Sequence, residues 1–194
     1  HSCSDVVRIL YVSKASAVPA YQDKLHSLAE RVGLHALLPA RWGTLKTRAE
    51  TSDLQIHLRP ALLHGHNHFH VYRNVAGVFA AARPDLVHID EEPYSAVTFQ
   101  LARMCRSARL AFVFFAWQNI YKTLPPPFGA IRRYVYAHAA GAIAGTSSAA
   151  VVLRDGGWRG RDVVIPQLGV NTRRFRPDAV ARGALRAQLA LPQD

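Results

Sequence analysis

The sequence predicts an α/β domain: a doubly wound, Rossmann-like, mostly parallel sheet with helices on both faces. Three observations lead there. Short apolar runs rich in β-branched residues alternate with segments of helical periodicity along the 194 residues. Such alternation requires a parallel sheet, because parallel neighbours need right-handed crossovers and become buried on both faces. The chain is also too short for a complete eight-unit barrel of about 250 residues.

The elements follow in order. VRILYVS at 7–13 is the first strand, and a polar loop then leads to a helix through Leu25, Leu28, Ala29 and Val32. Gly33 is expected to close that helix, as a residue tolerant of positive φ. LHALLPA is the second strand, ending at Pro39, and LQIHLRP at 54–60 is the third. HVYRNVAGVFAAARP carries helical spacing up to the Arg83-Pro84 breaker, and DLVHID follows as a buried strand. The unit then recurs: YSAVTFQLARMCRSA into RLAFVFFAW, FGAIRRYVYAHAA into GAIAGT, SSAAVVLRDGG into VVIP.

Composition narrows the function classes. With 49% hydrophobic and 19% charged residues, the chain can bury one domain's core and is not disordered. LAFVFFAW at 110–117, the longest clean apolar run, falls well short of the roughly 20 residues that span a bilayer. The opening HSCSDVVRILYV lacks the basic flank and apolar core of an export signal, and the only methionine is Met104, so a start lost to processing or truncation is expected. Cys3 and Cys105 form neither a disulfide framework nor a metal-ligand spacing, and a reducing, cytoplasmic setting is expected. The net charge of +11 comes from scattered arginines, which favours anionic lipid or a phosphorylated substrate over nucleic acid.

In open sheets of this class ligands bind beyond the carboxyl ends of the strands, so the loops after strands carry the functional weight. Neither G-x-G-x-x-G nor G-x-x-x-x-G-K-[ST] occurs, nor a G-x-S-x-G elbow, which argues against a dinucleotide enzyme, a P-loop ATPase and an α/β hydrolase. Four loops remain: KASAVPAY, HGHNHFH, DEEPYS and WQNIYK. Asp90, Glu91 and Glu92 either stabilise the following helix through its dipole or accept hydrogen bonds from substrate hydroxyls. Trp117, Gln118 and Asn119 suit a polyhydroxylated ligand, since an aromatic face packs on sugar C–H groups while amides donate and accept. His64, His66, His68 and His70 would line one side only if extended, and a zinc site would need further geometry that the sequence does not show.

The stretch DVVIPQLGVNTRRFRP at 162–177 resembles the hallmark of the retaining glycosyltransferases of the two-domain B type, in particular the large family 4. Val164, Ile165, Pro166, Gly169, Val170, Phe175 and Pro177 fall in step with it. GAIAGTSSAAVVLRDGGW is similar to the family's strand, serine, helix, glycine segment, with Ser147 or Ser148 at the serine. RPDLVHIDEEPYS is similar to its "P-D-hydrophobic-hydrophobic-H" strand, with His88 in the usual position. The sequence departs from the pattern at Asn171, where the family usually has Asp, and at WQNI, where many members carry a His-Asp or similar pair.

The resemblance implies an acceptor-side domain over 6–177, with 178–194 as linker and start of a second, nucleotide-sugar-binding domain. It implies sugar transfer from a nucleotide-sugar to a hydroxyl of a glycan or lipid-linked acceptor, with retention, without a cofactor, and with the fragment alone inactive. The acceptor pocket would be shaped by Tyr21, Glu91, Glu92, Tyr94, Trp117, Gln118, Asn119 and Lys122. His66 and His68 would reach acceptor hydroxyls or phosphate, and His70 would open the next helix. A basic domain of this kind is expected to touch an anionic membrane, here around Arg132 and Arg133. The rivals are a solitary nucleotide- or metabolite-binding module and a histidine-dependent metal hydrolase.

Overall fold

A computed structural model describes residues 6–49, 54–166, 169–170, 172–173 and 175–192. Cys3 and Asn171 lie outside the described residues. Along the chain run β1 (Arg8–Val12), α1 (Asp23–Ala29), β2 (Gly33–Pro39), β3 (Arg41–Trp42), β4 (Leu45–Lys46), β5 (Gln55–Arg59), β6 (Ala61–Leu62) and β7 (Val71–Tyr72). There follow α2 (Val75–Ala82), β8 (Leu86–Ile89), α3 (Ala96–Ala108), β9 (Ala111–Ala116), α4 (Phe128–His138), β10 (Gly141–Ala144), α5 (Ser147–Asp155), β11 (Asp162–Val164) and α6 (Ala179–Gln188).

Seven strands form one sheet in the order β11-β10-β9-β8-β1-β2-β5, every neighbour parallel. The chain winds outward from β1 through β2 to β5, then returns past β1 and winds the other way from β8. β1 and β8 are therefore the adjacent strands at which the winding reverses, the place where an open sheet of this kind leaves a crevice.

Alternation along the strands builds two cores. Leu10 and Val12 of β1 join Val87, Ile89, Phe112 and Phe114 under α2, α3, α4 and α5, whereas Tyr11 faces the other way with Ala36, Leu38 and Leu25 of α1. Helices thus cover both faces, as the sequence predicts. Phe114, Phe112 and Trp158 are the largest fully buried side chains, and Phe114→Ala would cost about 3–5 kcal/mol in lost burial plus cavity.

Three expectations are corrected. Gly33 does not close α1 but opens β2, with a backbone that any residue could adopt; its Cα hydrogens face the Arg8 side chain across the strand pair. His70 does not open a helix: Val71 and Tyr72 form β7, and α2 starts only at Val75, after Asn74 at φ 55°. HGHNHFH accordingly lies inside the antiparallel β6–β7 ribbon rather than between a strand and a helix. The segment expected as linker and start of a second domain includes α6, begun by Asp178, whose carboxylate accepts the Ala181 N–H at 2.9 Å.

Candidate functional site at the switch between β1 and β8

β1 and β8 run in register, Val12 beside Ile89, so the residues that follow them emerge side by side. Ser13 and Lys14 come from one strand end, Asp90, Glu91 and Glu92 from the other. Ser13 Oγ donates to Asp90 Oδ2 at 2.7 Å, and Lys24 Nζ of α1 reaches the same oxygen at 3.1 Å. The Lys14 backbone N–H donates to Glu91 Oε1 at 3.0 Å, and its ammonium pairs with Glu91 Oε2. Each buried acid thus has a named cation.

Glu92 is used differently. Its Oε1 accepts the backbone N–H groups of Trp117 at 2.8 Å and Gln118 at 3.0 Å, tying the β8 loop to the β9 loop. No acidic residue sits in the first turn of α3, and Ser95 precedes that helix with its Oγ donating to the Glu92 carbonyl at 2.6 Å. The three acids therefore hold loops together across strands instead of stabilising the α3 dipole.

Burial governs the electrostatics. Glu91 is almost fully enclosed, and desolvation raises its carboxyl to about 7 even against the pull of Lys14. Desolvation also raises Glu92, opposed by the Trp117 and Gln118 N–H groups. His70, expected to open a helix, is fully buried, edge-on to Trp42 at 4.8 Å and Tyr72 at 5.8 Å. Burial, aided by Lys14, lowers it to about 4, so it is neutral near pH 7. Its Nε2 lies 3.9 Å from Glu91 Oε1, beyond hydrogen-bond reach. His88 is likewise lowered to about 4 by burial, against the ring of Tyr11 at 4.5 Å.

The crevice wall is aromatic. His68 packs 4.9 Å from Tyr94 and 6.5 Å from Phe128, and Phe69, half-exposed, meets Phe128 at 5.1 Å. Burial first, then Lys14 and Lys122, lowers the His68 imidazole, and its Nδ1 finds no partner among the described residues. Trp117, half-exposed, stacks on Phe115 at 6.2 Å. Gly145 makes this stacking possible, since a Cβ there would lie 2.2 Å from the Trp117 ring.

The predicted site residues separate accordingly. Glu91, Glu92, Tyr94, His68, Trp117 and Gln118 come together around the ends of β8 and β9. Lys122 is exposed but near enough for its charge to act on His68. Asn119 and His66 are exposed, and Tyr21 sits partly exposed on a short turn of helix after β1, with no hydrogen bond to the acids among the described residues. His64, His66, His68 and His70 do not converge, and among the described residues no group of three His, Cys, Asp or Glu is placed to hold a metal ion. Arg132 is half-buried with its guanidinium over Tyr121 at 5.9 Å, leaving Arg133 as the exposed member of that pair. Ser147 and Ser148 are exposed at the start of α5, where Thr146 makes the cap by accepting the Ala149 N–H at 3.1 Å.

Sequence reasoning missed Ser13, Lys14, Lys24 and Trp42. The available signal was position: Ser13 and Lys14 directly follow a buried strand, as Asp90 and Glu91 do.

No family model matches the chain, and no curated protein matches it. Among solved structures it resembles HepE from Anabaena in complex with UDP and glucose, with a TM-score of 0.61 and 17% identity over 94% of this chain and 50% of that one. It is also similar to a complex of MnaA from S. aureus with UDP (TM-score 0.49, 12% identity, 92% of this chain, 50% of that one). A UDP-N-acetylglucosamine 2-epimerase gives TM-score 0.49 and 12% identity over 91% of this chain and 54% of that one. The likeness to HepE shows a shared α/β, Rossmann-like fold, and the chain spans about half the length of the structures it matches. No described helix is long and apolar enough to cross a membrane.

Proposed function

We propose that this chain is the acceptor-side half of a retaining, nucleotide-sugar-dependent glycosyltransferase of family 4 type. The observation that carries the reading is the cluster at the ends of β1, β8 and β9, where the paired charges of Lys14–Glu91 and Lys24–Asp90 lie beside the loops that carry His68, Tyr94, Trp117 and Gln118. The fold it shares with half of a protein solved with UDP and glucose supports it. So does the apolar surface of Val163, Val164, Ile165, Phe175 and Val180, which a further domain would cover.

In this reading the donor nucleotide-sugar is held by a second Rossmann-like domain, and the acceptor, a glycan or lipid-linked sugar, enters the crevice. A sugar face packs on Phe69 or Trp117, the neutral His68 imidazole accepts a hydroxyl hydrogen bond, and the Gln118 loop is fixed by Glu92. The acceptor hydroxyl replaces the diphosphate at the anomeric carbon with retention. The departing charge is met by cationic side chains and a helix N-terminus of the partner domain, so no metal or other cofactor enters the reaction. The enzyme would work in polysaccharide synthesis in the cytoplasm, with peripheral contact to anionic membrane that includes Arg133.

The test uses the full-length protein with a panel of nucleotide-sugars, measuring acceptor-dependent release of nucleoside diphosphate and the anomeric configuration of the product by NMR. Retention, together with weak nucleotide binding by residues 1–194 alone, is expected. Tight binding of nucleotide by this chain alone would instead mark a binding module, and activity lost to a chelator a metal hydrolase. Sedimentation with anionic liposomes at low salt checks the membrane contact.

A further inference from the structure

Residues 93–154 contain no Asp or Glu, yet hold Arg103, Arg106, Arg109, Lys122, Arg132, Arg133 and Arg154. Elsewhere Lys14, Lys24 and Arg8 each pair with a carboxylate. Of these seven, Arg154 pairs with Asp162 at 2.6 Å, whereas Arg103 and Arg106 fall where the surface is concave. A groove of about 430 Å³ runs between α3 and α4, lined by Phe99, Arg103, Arg106, Ser107 and Tyr134.

Helical spacing explains the lining. Phe99, Arg103, Arg106 and Ser107 lie three or four residues apart and so share one face of α3. The floor is aromatic, Phe99 meeting Tyr134 edge-on at 5.1 Å, and the Arg103 guanidinium stands 5.9 Å above the Phe99 ring. Among the described residues neither Arg103 nor Arg106 pairs with an acid. The groove lies toward the end of α3 that leads into β9, hence at the amino ends of the strands, opposite the crevice.

We propose that this groove binds a phosphate monoester carried on an apolar or planar body. Guanidinium forks match phosphate oxygens in pairs, the Ser107 and Tyr134 hydroxyls can complete the shell, and the two rings take the attached body. The negative end of α3 opposes an anion with about half a charge, which two full guanidinium charges outweigh. The phosphate arrives either on a soluble ester or on a lipid headgroup, and the same side chains serve both. The site is independent of the transferase reading and of the crevice.

The experiment is calorimetric titration of the full-length protein with phenyl phosphate and with inorganic phosphate, alongside flotation with phosphatidylcholine vesicles with and without phosphatidic acid. Binding of phenyl phosphate tighter than inorganic phosphate is expected. It should weaken at least about tenfold in Arg103→Gln/Arg106→Gln and in Ser107→Glu, which places a carboxylate in the groove, and be unchanged in Lys46→Gln, an exposed cation on β4. Vesicle binding that needs phosphatidic acid and falls in the same two variants would assign a lipid source; vesicle indifference with phenyl phosphate binding would assign a soluble one. No binding of either probe, or binding that survives both variants, overturns the proposal.

Discussion

The crevice at β1 and β8 and the groove between α3 and α4 carry charge in opposite ways. In the crevice Asp90 and Glu91 are buried, and each meets a cation from another segment: Lys24, beside the Ser13 hydroxyl, for one and Lys14 for the other. In the groove the arginines are exposed and have only rings and hydroxyls beside them. Burial explains the difference. A charge removed from water must be neutralised within the protein, whereas a solvated one can wait for a ligand. The crevice is therefore arranged before anything binds, and its charges should matter for folding; the groove's charges should matter for binding alone.

The largest expected effect follows from breaking the Lys14–Glu91 pair. Lys14→Ala leaves a carboxylate that is almost wholly enclosed without its cation, which should cost about 3–5 kcal/mol of stability. Chemical denaturation well above pH 7, where Glu91 is ionised, reads it. Glu91→Gln in the same background should recover part of the loss, because the unpaired charge is then gone. A loss below about 1 kcal/mol for Lys14→Ala would mean that water already reaches the carboxylate, and the contrast between the two regions would collapse.

Next comes Glu92→Ala, which removes the acceptor for two backbone N–H groups. Charge-assisted bonds of this kind contribute about 1.5–3 kcal/mol each, less what solvent restores at this half-buried place. A loss of about 2 kcal/mol is expected, together with a changed Trp117 fluorescence, since its loop loses its tether. Unchanged fluorescence would show that the β9 loop is held by its own packing on Phe115.

The pair that dominates the crevice shows what a sequence can reveal. The strands were legible because their apolar runs end sharply, and Glu91, Glu92, Trp117 and Gln118 were legible because they follow two such runs. Lys14 was not, since its partner lies 77 residues away and no local pattern encodes that register. His70 was misread for a related reason. Four histidines at alternate positions read as a polar loop, and only the β6–β7 ribbon turns the last of them inward, against Trp42 of a second ribbon. Ribbons of two-residue strands have no periodicity to detect, so whatever they bury escapes a reading by pattern.

His70 and His88 extend the comparison to pH. Both are lowered to about 4 by burial, below the ordinary value of 6.5. Between those values the unfolded chain binds more protons than the folded one, so stability rises with pH there. It is present in full above about 6.5 and is lost as pH falls toward 4. Glu91, raised to about 7 by burial, has the reverse sign and weakens the fold as pH rises from its ordinary value toward 7. The His70→Gln variant should flatten the acid limb of the urea midpoint against pH and leave the limb near neutrality unchanged. An acid limb as steep as in the parent protein would place the titration elsewhere.

The smallest effect tests the other region. Arg103 and Arg106 are exposed and contact no carboxylate among the described residues, so Arg103→Gln/Arg106→Gln should shift stability by no more than about 0.5 kcal/mol in either direction. Two opposing contributions set that limit: the lost stacking of Arg103 on Phe99 and the relief of repulsion within an arginine-rich face that has no acid to balance it. Raising the salt concentration should narrow the gap between variant and parent if repulsion dominates, because exposed charges are screened within about 10 Å at 0.1 M. A loss above about 1 kcal/mol, insensitive to salt, would mean that the guanidinium stems hold α3 against α4, making the groove part of the packing rather than a surface left open for an anion.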